Sequence, residues 1–584
     1  MPIEAFPSLG SDGLSYDHVA DTGSTLRCAC PVCSRAAVVV DDAGDGGFRP
    51  QAYANADERT GAAANGKSHL TIDQAAFQIV RGDPGWSSAL GVGFTVSYGF
   101  RANAPATMPD DSSGFERFNA NQIVQAELAL NGWADVANIR FVRAGFGASG
   151  EEAYSDNATI LFSNYTAGVT GASAFAYYPG STSASSRAGD VWVRSTIASN
   201  VTPTVGNYGG MVLVHEIGHA IGLAHPAVYD STGGGAITYD ANAGYFEDSR
   251  QYTVMSYFNE ANTGAYFGGA YSAAPLLDDI AAAQLEYGIN FATRTGDTVY
   301  GFNSNADRPW FISASNSNRL VFAVWDAGGV DTLDFSGYAP AQQIELREGF
   351  FSNVAGLTGN VAIAKGAKIE NARGGSGSDA ITGNPLANNI AGGAGNDTVI
   401  GAEGADYLRG DDGNDSLSGG ADFDDINGNI GNDTASGGLG DDWVVGGQND
   451  DVLNGDAGND IVLGNLGADT IDGSDGNDVV RGGQGDDIVR GGAGDDFIAG
   501  DRGNDTLTGG AGADLFHAFT GSGIDRILDF SQAEGDRINL YAGTTYTVAQ
   551  VGADTVVTLG SSADQVILVG VQYSALNEGW IFGG

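Results

Sequence analysis

From Gly374 to His517 the chain holds a nine-residue period, GGxGxDxUx with U apolar, through sixteen consecutive units. Glycine fills the first position of all sixteen, and aspartate fills the sixth in fifteen, Asn388 being the exception. The eighth position is Ile, Val, Leu or Phe in fifteen, with Ala435 the weak member. A unit this short cannot bury an apolar face alone, so neighbours must stack and the segment is committed to a solenoid with a thin apolar core. The glycine-rich half of each unit turns and the apolar half is a short strand, so two units are expected to make one turn of a right-handed parallel roll.

The sixth-position aspartates are Asp379, Asp397, Asp406, Asp415, Asp424, Asp433, Asp442, Asp451, Asp460, Asp469, Asp478, Asp487, Asp496, Asp505 and Asp514. A tight glycine turn aims backbone carbonyls inward and each aspartate adds a carboxylate, which together form the oxygen shell that Ca²⁺ prefers. Within these 144 residues 28 acidic side chains face four arginines, a net of −24, so the roll would repel itself without cations. Several structural calcium ions, bound between successive loops, are therefore expected to fold it. A flexible Gly/Asp linker explains neither the strict register nor the apolar eighth position.

The whole chain, 584 residues at a formal charge of −46, lacks the clustered Lys/Arg that nucleic acid or an anionic membrane requires. A hydrophobic fraction of 42% excludes polyacidic disorder. No apolar run is long enough to span a bilayer, and MPIEAFPSLGSDG has neither the basic nor the apolar region of a secretory signal. Five segments are expected. Residues 1–65 read as a leader and linker, 66–290 as a mixed α/β domain, and 291–373 as a β-rich connection. The roll follows at 374–517, and 518–584 as a terminal cap. Within the second segment GVGFTVSYGF, NIRFVRA, TILFSNY and DVWVRS have strand character, while Ile123, Ala126, Leu130, Trp133 and Ala137 recur at helical spacing.

The chemistry lies in MVLVHEIGHAIGLAHP, residues 211–226. His215 and His219 stand at i and i+4 on an apolar helix and so share one face, where two imidazoles can hold one tetrahedral metal. Gly222, free to take positive φ, lets the helix end and the chain swing back so that His225 becomes a third ligand, and Pro226 prevents any return to helix. Three neutral histidines leave an open position for water on one catalytic zinc, and Glu216 is placed as the general base.

Further on, Met255, Ser256 and Tyr257 resemble the Met-turn of the metzincins. With HEIGHAIGLAHP, APLLDDIAAAQLEYG at 274–288 and the RTX-type repeat, the resemblance is closest to the serralysins and covers most of residues 66–584. It implies an α+β metzincin zinc-protease domain followed by an all-β parallel roll, and a secreted, extracellular metalloendopeptidase acting on proteins and peptides as a monomer. It also implies zinc ligands His215, His219 and His225, with Glu216 as base. Tyr257 is implied as a further zinc ligand and catalytic group that can swing away to hold the oxyanion; without the motif it would read as a packed aromatic. Export by type I secretion machinery through an uncleaved C-terminal signal is implied as well, although NEGWIFGG matches that terminus only loosely.

GASAFAYYPG at 171–180 resembles the serralysins' edge strand beside the cleft, where an extended substrate could pair, and reads equally as an ordinary buried strand. Cys28, Cys30 and Cys33 are open to three readings: a leader thiolate blocking the zinc as a built-in inhibitor, a second small metal site, or inert thiols. His18, His69 and His517 have no partners at ligand spacing and read as surface or packing residues. The rival from another class is a calcium-dependent adhesion protein with an inactive protease-like domain; an RTX lipase lacks its GxSxG elbow here.

Overall fold

The structure, a computed structural model, describes residues 53–583 apart from 84, 110–111, 169–172, 181–187, 230–236 and 562. Cys28, Cys30, Cys33 and His18 lie outside the described residues. An N-terminal α/β lobe leads into a long parallel solenoid.

The lobe is built on strands β1 (Phe94–Phe100), β2 (Ser112–Glu116), β3 (Ile139–Ala144), β4 (Ile160–Gly168), β5 (Ala174–Ala176) and β6 (Val191–Arg194). They are ordered β3-β1-β4-β6-β5, with β2 antiparallel to β4. Pairing is parallel from β3 to β6, whereas β5 runs antiparallel to β6 and forms the sheet's edge. The helices are α1 (Ile72–Val80), α2 (Ala120–Val136), α3 (Ala198–Val201), α4 (Tyr208–Ala220), α5 (Tyr239–Asn242) and α6 (Leu277–Tyr287). Capping boxes start two of them, Thr71 with Gln74 at α1 and Asn119 with Gln122 at α2. Asp278 and Asp279 occupy the first turn of α6, where the helix dipole favours negative charge. Both are buried and both hold distant parts of the lobe.

Within the segment expected as a leader and linker, residues 53–59 are tied into the fold. The Arg59 guanidinium is fully buried and pairs twice with Asp278, at 2.7 and 2.9 Å. Tyr252 Oη accepts from the Ala54 amide at 2.8 Å, and Tyr53 Oη donates to Asn353 Oδ1 at 3.0 Å, so this segment bridges the lobe and the start of the solenoid.

In the solenoid each strand pairs in parallel with the strand eighteen residues on, as Asn389 with Tyr407 and Thr398 with Ser416, so one turn is two nonads. Two 13-stranded sheets result. Eighth-position side chains stack inward from both: Val399, Leu417 and Leu453 from one, Leu408, Ile426 and Val444 from the other, each no more than 2% exposed. Val299–Gly301, Thr332–Asp334 and Asn371–Arg373 add parallel strands at the start of one sheet, and Gln343–Glu345 at the start of the other. At the far end an antiparallel meander, Tyr546–Val551, Asp554–Leu559 and Gln565–Leu568, extends one sheet beyond its last parallel strand and ends it on the exposed strand Tyr546–Val551.

Candidate active site

Helix α4 carries the first two histidines through the middle of the lobe. Asn207 caps it by accepting the Gly210 amide at 2.9 Å, and Trp133 Nε1 donates to the Val214 carbonyl at 3.1 Å, anchoring α4 to α2. At its end Gly222 takes φ +119°, and a side chain there would overlap Glu286. The chain turns, the Ala224 amide donates to the Ile79 carbonyl at 2.8 Å, and His225 comes back over the helix.

The result is convergence. His219 Nε2 lies 3.1 Å from His215 Nε2 and 3.0 Å from His225 Nε2. The opposite ring nitrogens are fixed: His215 Nδ1 is 2.7 Å from the Val254 carbonyl and His219 Nδ1 is 2.7 Å from the Leu223 carbonyl. A carbonyl only accepts, so each Nδ1 carries the proton and each Nε2 presents a lone pair. Lone pairs at this separation repel unless a cation lies between them, and an all-imidazole donor set suits zinc. Glu216 is fully buried on the same helix. Tyr257 is 6% exposed, with its ring centroid 4.4 Å from that of His225 and 6.3 Å from that of His215. Tyr178, two residues past β5, packs edge-on to His219 at 5.4 Å.

Beneath the histidines the turn at Met255 is held by a carboxylate that sequence reasoning did not single out. Asp279 accepts from the Val254 amide at 2.8 Å, the Leu276 amide at 2.9 Å and Thr253 Oγ1 at 2.5 Å. Since the Val254 carbonyl receives His215 Nδ1, Asp279 orients a histidine through the backbone of one residue, Val254. Burial pushes the Asp279 carboxyl up to about 7, against the pull of these three donors. Two adjacent acids at a helix start were visible in the sequence, but their partners were not. His69 joins a neighbouring buried cluster, its Nδ1 2.6 Å from Glu247 Oε1.

The fifteen aspartates lie far from the histidines along the chain, buried in two columns spaced by eighteen residues. From Asp397 onward each Oδ1 accepts the backbone amide of the residue one turn earlier, at 2.8 Å for Asp415 onto Asp397 and for Asp433 onto Asp415. The Oδ2 atoms of Asp397 through Asp514 are buried without a hydrogen-bond partner. Burial raises these carboxyls, Asp451, Asp460 and Asp487 to about 7. Such a row of unsatisfied carboxylate oxygens fits a calcium-binding edge. Asp379 differs, because Gln342 and Gly375 both donate to its Oδ2. The first-position glycines are a steric need: a methyl at Gly401 would overlap the Asp406 carboxylate.

Comparison with known proteins gives two family matches. Residues 289–574 match the Peptidase M10 serralysin C-terminal family, and residues 126–278 match the Reprolysin-like metallo-peptidase family M12B. Metalloprotease AprA of Pseudomonas entomophila (strain L48) is 47% identical over 328 residues, 55% of this chain and 65% of that protein. Serralysin C of Dickeya chrysanthemi is 45% identical over 317 residues, 54% of this chain and 64% of that protein. Serralysin of Photorhabdus sp. (strain Az29) is 46% identical over 309 residues, 52% and 62% of the two chains. The chain thus spans just under two thirds of the length of these relatives.

Proposed function

Because this chain belongs to the serralysin-type metallopeptidases, we propose that it is a secreted zinc endopeptidase whose solenoid is folded outside the cell by calcium. The observation that carries the reading is the convergence of three imidazole Nε2 atoms, two of them with the tautomer fixed from behind by backbone carbonyls. His215, His219 and His225 would hold the zinc, and Asp397 through Asp514 would hold calcium. No helix among the described residues is long and apolar enough to cross a membrane.

Zinc, when bound, supplies a Lewis acid and lowers the pKa of a water towards about 7. The chain's own groups do the rest. Strand β5, at the sheet edge, aligns an extended peptide by backbone pairing, which favours broad specificity. Glu216 takes the proton from the attacking water and passes it to the departing amine, so one carboxylate serves as base and then acid. Tyr257 donates to the developing oxyanion, and its burial beside His225 keeps water from competing for that bond.

The test is cleavage of a quenched casein substrate by calcium-loaded protein. Glu216→Gln is expected to lower kcat by on the order of 10²–10⁴-fold with zinc still bound. o-Phenanthroline should abolish activity and zinc should restore it. A zinc-loaded, calcium-folded wild type that cuts nothing would overturn the reading in favour of a calcium-dependent binding protein.

A further inference from the structure

The surroundings of Tyr257 are set by two residues outside the histidine motif. Tyr229 lies four residues past His225, on the chain leaving the motif. Its ring centroid is 4.4 Å from that of Tyr257, 5.4 Å from that of His225 and 5.1 Å from that of Phe258, which it meets edge-on at 79°. The Tyr229 hydroxyl donates to Asp248 in a short hydrogen bond. Asp248 is fully buried and accepts two more donors, Ser256 Oγ at 2.7 Å and the Gly244 amide at 3.1 Å. One carboxylate therefore ties the segment after the third histidine to the residue immediately before Tyr257.

We propose that Tyr229 and Asp248 are a positioning pair for Tyr257. This inference rests on the reading of the histidine cluster as a zinc peptidase site. The role given to Tyr257 requires its phenol to occupy two places, beside the metal and against the oxyanion. A ring that moves between two places needs a wall that does not. Tyr229 is that wall, and its bond to Asp248 fixes the wall to the same carboxylate that fixes Ser256. Removing the Tyr229 hydroxyl leaves the wall standing but loose, so Tyr257 should reach the oxyanion position less often while substrate binding is little changed.

The experiment uses the full, calcium-loaded chain with Tyr229→Phe, Asp248→Asn and the double variant. Each is loaded with zinc for kinetics and with copper for spectroscopy, because a tyrosine phenolate coordinated to cupric ion gives a visible phenolate-to-copper charge-transfer band. Expected for Tyr229→Phe is a kcat lower by about tenfold or more with KM within about twofold, one zinc per chain, and a copper band shifted or weakened relative to wild type. The double variant should be no worse than the more impaired single variant, since both break one bond. If Asp248→Asn does not fold, Tyr229→Phe decides alone. Wild-type kcat and an unchanged copper band in Tyr229→Phe would overturn the pair. An inactive wild type without a copper band would overturn the site reading itself, and this inference with it.

Discussion

Glu286 is a carboxylic acid in a place that offers it little beyond the nearby Tyr287 hydroxyl, which donates to the Ile221 carbonyl. It is fully buried between the backbones at Gly85 and Gly222, and neither carboxylate oxygen has a hydrogen-bond partner. Burial pushes its pKa well above the ordinary 4.5. A carboxyl raised in the folded state costs nothing while both states are protonated. It subtracts stability progressively as pH climbs from the unfolded value towards the folded one. Glu286→Gln is therefore expected to raise the melting temperature at pH 7 by a few degrees, roughly 2–4 °C per kcal/mol for a domain this size, with the gain vanishing near pH 4. Calorimetry of the zinc- and calcium-loaded protein across that range checks it; no gain at pH 7 would mean the carboxyl finds a partner. His215 and His219 make the opposite case, since each of these two rings is held from behind by a carbonyl, one 39 residues away and one four residues away.

At the scale of elements, the helix carrying His215 and His219 and its exit were legible because they obey local rules. Spacing of i and i+4 puts His215 and His219 on one face, and a glycine before a returning histidine implies positive φ, which Gly222 has. Gly222→Ala should cost both the φ and the space that Glu286 fills. A zinc affinity lower by about tenfold or more is expected, read by chelator competition, while the calcium-dependent β signal of the solenoid stays as in wild type. The strands β1, β3, β4 and β6 were also legible, being apolar runs of ordinary length. Less so was β5, three residues long, whose edge position depends on antiparallel pairing with β6 rather than on any pattern of its own. Asp279, Asp248 and Tyr229 escaped because a buried carboxylate is chosen by its donors. Two of the three donors to Asp279 come from 25 and 26 residues away, a distance at which no period or spacing marks them.

Across the whole molecule the solenoid behaves as a row of equal cells, each stabilised by its neighbours. Its ionised aspartates are the weak point, since carboxyls held near 6 to 7 in the fold and near 3.8 outside it favour the folded state only when protonated or cation-bound. Calcium-free protein is thus expected to lack solenoid β structure at pH 7.5 and to regain part of it as pH falls through 6 towards 4, with calcium restoring it at either pH. Circular dichroism titrations in chelator follow this, and a calcium-free solenoid folded at pH 7.5 would contradict it. The strip of chain at residues 53–59 acts on another axis, that of time. Tyr53, Ala54 and Arg59 find their partners at Asn353, Tyr252 and Asp278, across 300, 198 and 219 residues. Contacts so distant form late. Whichever end of the polypeptide becomes ordered first, the packing beneath the histidines is complete only when residues 53–59 meet parts of the molecule made long after them.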